Sequence, residues 1–163
     1  MSCFRGKQTD YSLFFYLYIM SNKSKLLLIS QFLCFGFLVF YQDWPGSGIY
    51  LAIQVFGVAL CLWSILIMGL GNFNAQPEVK PGAVLIRKGP YSIIRNPMYA
   101  GLLLFFGSGL LHNFNWPGAF VYVALTLTFG LKIRAEEKFL ALRFGEIYAS
   151  YKRATYRVIP FVF

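Results

Sequence analysis

Ile49–Leu70 runs without one charged residue and without one proline. A helix needs about 20 apolar residues to cross the hydrocarbon core of a bilayer, and this run reaches that length. Nothing else constrains the chain as strongly, because backbone placed in lipid has to satisfy its own hydrogen bonds. Comparable runs lie on either side. Leu26–Tyr41 reads as a first span, somewhat short and extended toward Trp44; Pro97–Leu111 reads as a third and Trp116–Ile133 as a fourth. Asp43–Gly48 and His112–Asn115 read as turns between them. From Lys132 the chain takes on amphipathic spacing to about Arg153, and Arg157–Phe163 forms a tail. The predicted fold class is all-α: an integral membrane bundle of about four transmembrane helices with a C-terminal amphipathic helix in the cytoplasm.

Composition agrees with that class. Hydrophobic residues make up 58% of the chain and charged ones 13%, too apolar a balance for an ordinary water-soluble domain. The formal charge of +9 raises the question of nucleic acid. The cations stand beside apolar runs and form neither a basic helix nor a nucleic-acid motif, so anionic membrane lipids are the expected partner. Cys3, Cys34 and Cys61 show no metal-ligand spacing, and an odd count argues against a disulfide framework. His112 is the single histidine, which argues against zinc and Ser-His-Asp chemistry and suits a membrane surface. Gly69-x-Gly71 follows no strand and reads as a helix end, not a nucleotide fingerprint.

All 15 Lys and Arg residues avoid the two turns around Asp43 and His112. They fall in the N-terminal segment, in Gly71–Asn96 and from Lys132 onward, which places those segments and both termini on the cytoplasmic side. At the start of the chain, Tyr11–Met20 is apolar but about half the length of a span and has no cleavage site. Met20-Ser-Asn-Lys-Ser-Lys reads as a natural start. Residues 1–19 are therefore expected to be a non-core extension, at most interfacial, with 20–163 as a single domain.

Two stretches carry chemistry. Lys88–Gly101 packs two cations, two prolines, two tyrosines and an asparagine between apolar segments. Gly89-Pro90 punctuates the backbone, Pro97 pushes Asn96 out of helical angles, and a helix can begin at Pro97. Its first N–H groups, beside Arg95 and Asn96, suit a carboxylate or phosphate; a capped helix start with a headgroup arginine fits the spacing equally well. The second stretch opens with Glu136-Glu137 directly after a span, where carboxylates pair or act. Glu136, Leu140, Arg143 and Ile147 share one helical stripe; Glu137, Ala141, Phe144, Tyr148 and Tyr151 share another. The plain reading is a salt bridge to Arg134, Lys138 or Arg143, with the aromatics as packing. Gly101, Gly107 and Gly109 in the third span allow either close helix approach or ligand room.

Gly89-Pro90-Tyr91-x-x-x-Arg95-Asn96-Pro97-x-Tyr99-x-Gly101 resembles the signature of the isoprenylcysteine carboxyl methyltransferase family, membrane enzymes that include related phospholipid methyltransferases. A second block follows in the right order: Glu136-Glu137-x-x-Leu140-x-x-x-Phe144-Gly145-x-x-Tyr148-x-x-Tyr151, then Arg157-x-Ile159-Pro160. The resemblance covers Leu85–Pro160, with the cofactor region at 82–101 and 132–160. The family often has histidine where this chain has Asn96. The resemblance implies S-adenosylmethionine as cofactor, held on the cytoplasmic side by Leu85, Ile86, Arg87, Lys88, Gly89, Tyr91, Arg95, Asn96, Tyr99, Glu136 and Glu137. In that scheme Glu137 takes the cofactor's amino group, Arg95 and Asn96 its carboxylate, and the backbone of Leu85–Lys88 beside Tyr99 its adenine. Arg143 is the implied acceptor-holding arginine, and Arg143 and Glu137 are the residues on which turnover depends. The implied partner is a lipophilic or lipidated acceptor, of which a prenylcysteine-type carboxylate is one form, entering from the bilayer between the third and fourth spans. Two other readings stand beside this one. The first is an NADPH-dependent reductase of the sterol-reductase type, with Arg87 and Lys88 near the cofactor phosphate. The second is a non-enzymatic membrane assembly or lipid-binding protein.

Overall fold

The computed structural model describes residues 7–69 and 84–160, of residues 7–21 the backbone alone. Cys3, Gly71, the segment Gly71–Pro81, residues 82–83 of the cofactor region and residues 161–163 lie outside the described residues. Four helices follow in order: α1 (Lys7–Tyr41), α2 (Ile49–Met68), α3 (Pro97–His112) and α4 (Trp116–Ala154). A 3-10 turn, Gly89–Ser92, precedes α3. Among the described residues the sole β-type pairing is an isolated parallel bridge between Ile94 and Tyr156. The chain is therefore all-helical.

Three of these helices are long and apolar enough to cross a membrane: α1 over Asn22–Tyr41, α2, and α4. Helix α3 has 16 residues. At 1.5 Å per residue it extends about 24 Å, against a hydrocarbon core of about 30 Å. Its ends are set by sequence: Pro97 occupies the first turn, and the Asn113 N–H closes on the Gly109 carbonyl. Helix α4 begins where Asn115 Oδ1 accepts from the Gly118 N–H at 2.7 Å, a side-chain cap followed by Pro117 in the first turn. The segment from Lys132 is not a separate amphipathic helix; it continues α4 through Glu137 to Gly145. There the backbone turns to φ 50°, ψ −126°, which an L side chain rarely adopts, and then resumes as helix to Ala154. Helix α1 likewise passes Met20 without a break.

Neighbours in space are only in part neighbours in sequence. Helix α2 lies closely along α3, while α1 packs on α4. The α2–α3 contact is backbone against backbone. A Cβ on Gly101 would stand 2.5 Å from the Gly57 carbonyl oxygen, and one on Gly57 would stand 2.6 Å from that of Gly101. The other two α3 glycines also face protein: Gly107 meets the Tyr122 hydroxyl and Gly109 the Trp44 ring. Packing, not ligand room, accounts for all three. Between the two pairs of helices sits a core of Cys34, Leu38, Tyr99, Phe106, Leu125, Phe129 and Ile133. Phe35 stacks on Phe106 at 5.0 Å between ring centres, and Trp44 on Phe105 at 4.7 Å. The outer faces are apolar and exposed, Phe40, Leu66 and Leu131 among them, as lipid contact requires.

The two turns without cations meet at one end. Ser47 Oγ and His112 Nε2 share a hydrogen bond of 3.0 Å, and Asn113 Nδ2 donates to Asp43. Lys88–Asn96 and the end of α4 meet at the other. Substituting the closest glycine tests the packing scheme. Gly101→Ala is expected to cost about 1–3 kcal/mol, since backbone atoms of α2 have to move. Gly36→Ala, where nothing lies within 4 Å, is expected to be neutral or to stabilise by about 0.5–1 kcal/mol. Thermal unfolding of the purified protein in detergent reads both.

Candidate active site

Pro97 keeps Asn96 out of the helix, at φ −128°, ψ 57°, and Ile94 just before it pairs with Tyr156 in the chain after α4. Arg95 N donates to Tyr156 O at 2.8 Å, and Tyr156 N to Ile93 O at 2.9 Å. This short ladder joins the two signature stretches. It also sets Arg95 under the end of α4, where its Nη1 donates to the carbonyls of Lys152, at 3.0 Å, and Thr155. Carbonyls in the last turn of a helix lack intrahelical partners and attract a cation.

Arg95 also turns toward Glu137. Its Nε donates to Glu137 Oε1 at 3.1 Å, and the side chains of both are 8% exposed. Arg157 completes the group with a two-pronged contact, Nε to Oε1 at 3.1 Å and Nη2 to Oε2 at 2.9 Å. Lys152 Nζ stands farther off, at 3.9 Å, and is half exposed. Asn96 does not cap α3: its Nδ2 donates to the Arg157 carbonyl at 2.9 Å and so fixes the strand that carries that arginine. Glu137 therefore pairs across the fold, with Arg95 before α3 and Arg157 after α4. One carboxylate between two guanidiniums is a strong arrangement, because each fork matches the carboxylate geometry and desolvation is shared.

Glu136, one residue earlier, has different company. It accepts from the Tyr99 hydroxyl, which reaches it from α3. Lys132, one turn back and buried, lies with Nζ 5.6 Å from the centre of the Tyr99 ring and donates to Gln31 Oε1 of α1 at 2.6 Å. Three helices thus contribute to one polar string inside the bundle. Tyr151 Oη donates to the Tyr91 carbonyl at 2.7 Å. The hydroxyls of Tyr91 and Tyr148 are buried without a hydrogen-bond partner. Burial first, then the charges of Tyr151 and Glu136, push the Tyr91 phenol up in pKa, so it stays a donor.

The remaining predicted residues are more exposed. Val84–Arg87 forms an extended run with Leu85 and Ile86 half-buried, while Arg87 and Lys88 face outward. Gly89 takes φ 58°, and a Cβ there would meet Ile67 at 3.1 Å, so only glycine suits the turn. Arg143 is exposed, its guanidinium 5.6 Å from the centre of the Phe144 ring, away from the Glu137 group. A groove of about 410 Å³ opens along α4, lined by Arg134, Glu137, Lys138, Gly145, Tyr148 and Lys152 among others. The structure thus brings Tyr91, Arg95, Asn96, Tyr99, Glu136 and Glu137 to one end of the bundle and leaves Arg143 outside. Sequence reasoning gave no role to Arg157, Lys132 or Gln31. A buried carboxylate demands a compensating cation, and Arg157, the last cation of the chain, was the available signal.

Comparison with known proteins points the same way. The family model for phospholipid methyltransferase matches residues 47–147, from the turn before α2 into the second half of α4. A search of curated proteins finds the cobalt-zinc-cadmium resistance protein CzcN of Cupriavidus metallidurans, 29% identical over 141 residues. The aligned part covers 82% of this chain and 61% of that protein's length.

Removing the central carboxylate leaves the buried Arg95 and the half-buried Arg157 without a counter-charge. Glu137→Ala is expected to destabilise the protein by about 3–5 kcal/mol. Lys152→Ala, which loses a long and half-exposed contact, is expected to cost less than about 1 kcal/mol. Comparing the two melting temperatures separates a structural centre from a surface charge.

Proposed function

Since the chain belongs to the phospholipid methyltransferase family, we propose that it is an integral membrane methyltransferase that uses S-adenosylmethionine on a lipophilic acceptor. The observation that carries this reading is the convergence of both signature stretches on the Arg95–Glu137–Arg157 group at one end of an apolar bundle. When bound, the cofactor supplies a methyl group on a sulfonium. The protein's own part is to bind, to orient and to exclude water, which suits a transfer governed by proximity and desolvation.

The residues present fit such a cofactor. The amino-acid end of S-adenosylmethionine is zwitterionic, and Arg95 with Glu137 is a zwitterionic pair. The first turn of α3 carries no side-chain cap, so its N–H groups suit the cofactor carboxylate together with Arg95. The buried, unpartnered hydroxyls of Tyr91 and Tyr148 are two further donors in the same region. The Leu85–Gly89 run, beside Tyr99, takes the adenine. Arg143 is the proposed holder of a carboxylate acceptor, such as a prenylcysteine, through the fork of its guanidinium. The acceptor tail lies in the bilayer, between α3 and α4, which pack on each other far less closely than α2 and α3 do. The metal resistance named for the relative does not enter this reading. Among the described residues, no three His, Cys, Asp or Glu side chains gather where a metal ion could sit.

We further propose that α3 completes a set of four crossings, with the cation-bearing end in the cytoplasm where the cofactor is available, and that residues 1–19 are dispensable. Cysteines placed at Ser47 and Asn113 in intact cells are expected to react with an impermeant thiol reagent from outside, and one at Lys152 is not. Reaction at Lys152 overturns the orientation. The cofactor assignment is tested by titrating S-adenosylhomocysteine and NADPH into the purified protein. Only the first is expected to bind, with Arg95→Ala weakening it at least tenfold and a chain starting at Met20 binding normally. Binding of NADPH instead favours a reductase; binding of neither favours a non-enzymatic membrane protein.

A further inference from the structure

Helix α4 turns back on itself at Gly145, and the turn makes a site beside the Glu137 group. Along an unbroken helix Glu137 and Lys152 would stand about 22 Å apart, beyond the reach of both side chains. Lys152 Nζ instead stands 3.9 Å from Glu137 Oε2, and Arg95 bridges Glu137 and the Lys152 carbonyl. The break at Gly145 brings the two halves of the helix toward each other. The groove of about 410 Å³ lies in that bend. Arg134, Glu137 and Lys138 line it from the first half, Tyr148 and Lys152 from the second, and the small Ala141 and Gly145 leave room between them. Its volume falls within the range of about 300–1,000 Å³ typical of small-molecule sites.

The lining calls for an anion. Three cations face the groove against one carboxylate, and Arg95 and Arg157 already hold that carboxylate. Tyr148 adds a hydroxyl that is buried without a hydrogen-bond partner. Burial first, then the Glu137 charge, push this phenol up in pKa, so it keeps its proton. A phosphate, with its charge and several acceptor oxygens, matches cations and a phenol donor together. The position names the source. Arg134 and Lys138 follow directly on the apolar part of α4, at headgroup depth, and both are exposed. On either side of the bend Leu142 and Ile147 are exposed too, as in a segment that rests apolar side chains in the membrane surface.

We propose that the groove at the Gly145 bend binds the phosphate of an anionic diacyl lipid, held by Arg134, Lys138 and Lys152. The lipid has a phosphodiester and no amine, so it is a resident of the site and not a methyl acceptor. The proposal does not rest on the methyltransferase reading. Bound there, the lipid braces the two halves of α4 and with them the Lys152 and Thr155 carbonyls that Arg95 holds.

The full chain, purified in a nonionic detergent, is titrated by calorimetry with dihexanoyl phosphatidylglycerol, dihexanoyl phosphatidylcholine and glycerol phosphate. Saturable binding of phosphatidylglycerol is expected, with the other two weaker by about tenfold or more. Arg134→Gln combined with Lys138→Gln is expected to weaken it about 25-fold, at about fivefold for each cation. Lys23→Gln combined with Lys25→Gln removes as much charge from the start of the first span and is expected to bind as the wild type does. Ala141→Leu fills the bend with every charge kept, and is expected to lose the lipid. In phosphatidylcholine nanodiscs, added phosphatidylglycerol is expected to raise the melting temperature of the wild type and not that of the Arg134/Lys138 variant. Equal loss in the Lys23/Lys25 variant overturns the proposal, by reducing the effect to surface charge. Undiminished binding by Ala141→Leu overturns the groove as the site. Glycerol phosphate binding as tightly as the lipid overturns the lipid source. Displacement of the lipid by S-adenosylhomocysteine returns the groove to the cofactor, and absence of saturable phosphatidylglycerol binding overturns the proposal outright.

Discussion

The Glu137 carboxylate between Arg95 and Arg157 is the interaction on which the rest of this structure depends. It lies where apolar helices end, in a place too dry for lone charges. Each of its partners is tied in turn to backbone. Arg95 holds the last carbonyls of α4, and Asn96 holds the Arg157 carbonyl. The charges therefore fix the relative position of two chain segments that no sheet or long helix contact would hold. Breaking a buried ion pair costs more than the pair contributes over a neutral substitute, because the orphaned charge stays behind. The network is rigid for that reason, and its rigidity suits a site that must present several donors at set positions.

The body of the bundle is held by different means. Gly57 and Gly101 let α2 and α3 approach until backbone touches backbone, and in lipid such close packing replaces the hydrophobic effect that drives helices together in water. Aromatic stacking of Trp44 and Phe35 on the Phe105–Phe106 pair closes the space between α1 and α3. Packing thus supplies the frame, and charge supplies the register at the functional end.

Much of this was legible in the sequence, for definable reasons. Long apolar runs and the proline at the start of α3 are local signals, and α2 and α3 end within a few residues of expectation, whereas α1 begins at Lys7 and α4 runs on to Ala154. The two signature stretches were recognisable because they hold polar residues where lipid would exclude them. What sequence could not give was partnership. Glu137 was expected to pair along its own helix or to wait for a ligand; it pairs instead with residues from two distant segments, and no spacing rule contains that distance. The stripe argument placed Glu137, Tyr148 and Tyr151 on one face. All three are buried, although the Gly145 break interrupts the helical register between them. Arg143 was singled out by analogy of position, and the helix turns it outward. Helix α1 finds its main surface on α4, a pairing set by side chains such as Ser30 and Thr128 that carry no sequence signature.

That last arrangement has a consequence for biogenesis. Helix α1 leaves the ribosome first, yet the surface it packs on is made last. Arg95 is synthesised before its counter-charge, Glu137 of α4. During that interval an arginine destined for burial is held at the interface by water, headgroups or an insertase, and the first three helices form an open intermediate. Synthesis of α4 gives α1 its surface and Arg95 its counter-charge, and Arg157 then completes the group. A chain stalled or cut before Glu137 carries Arg95 without its counter-charge at the end of an apolar bundle.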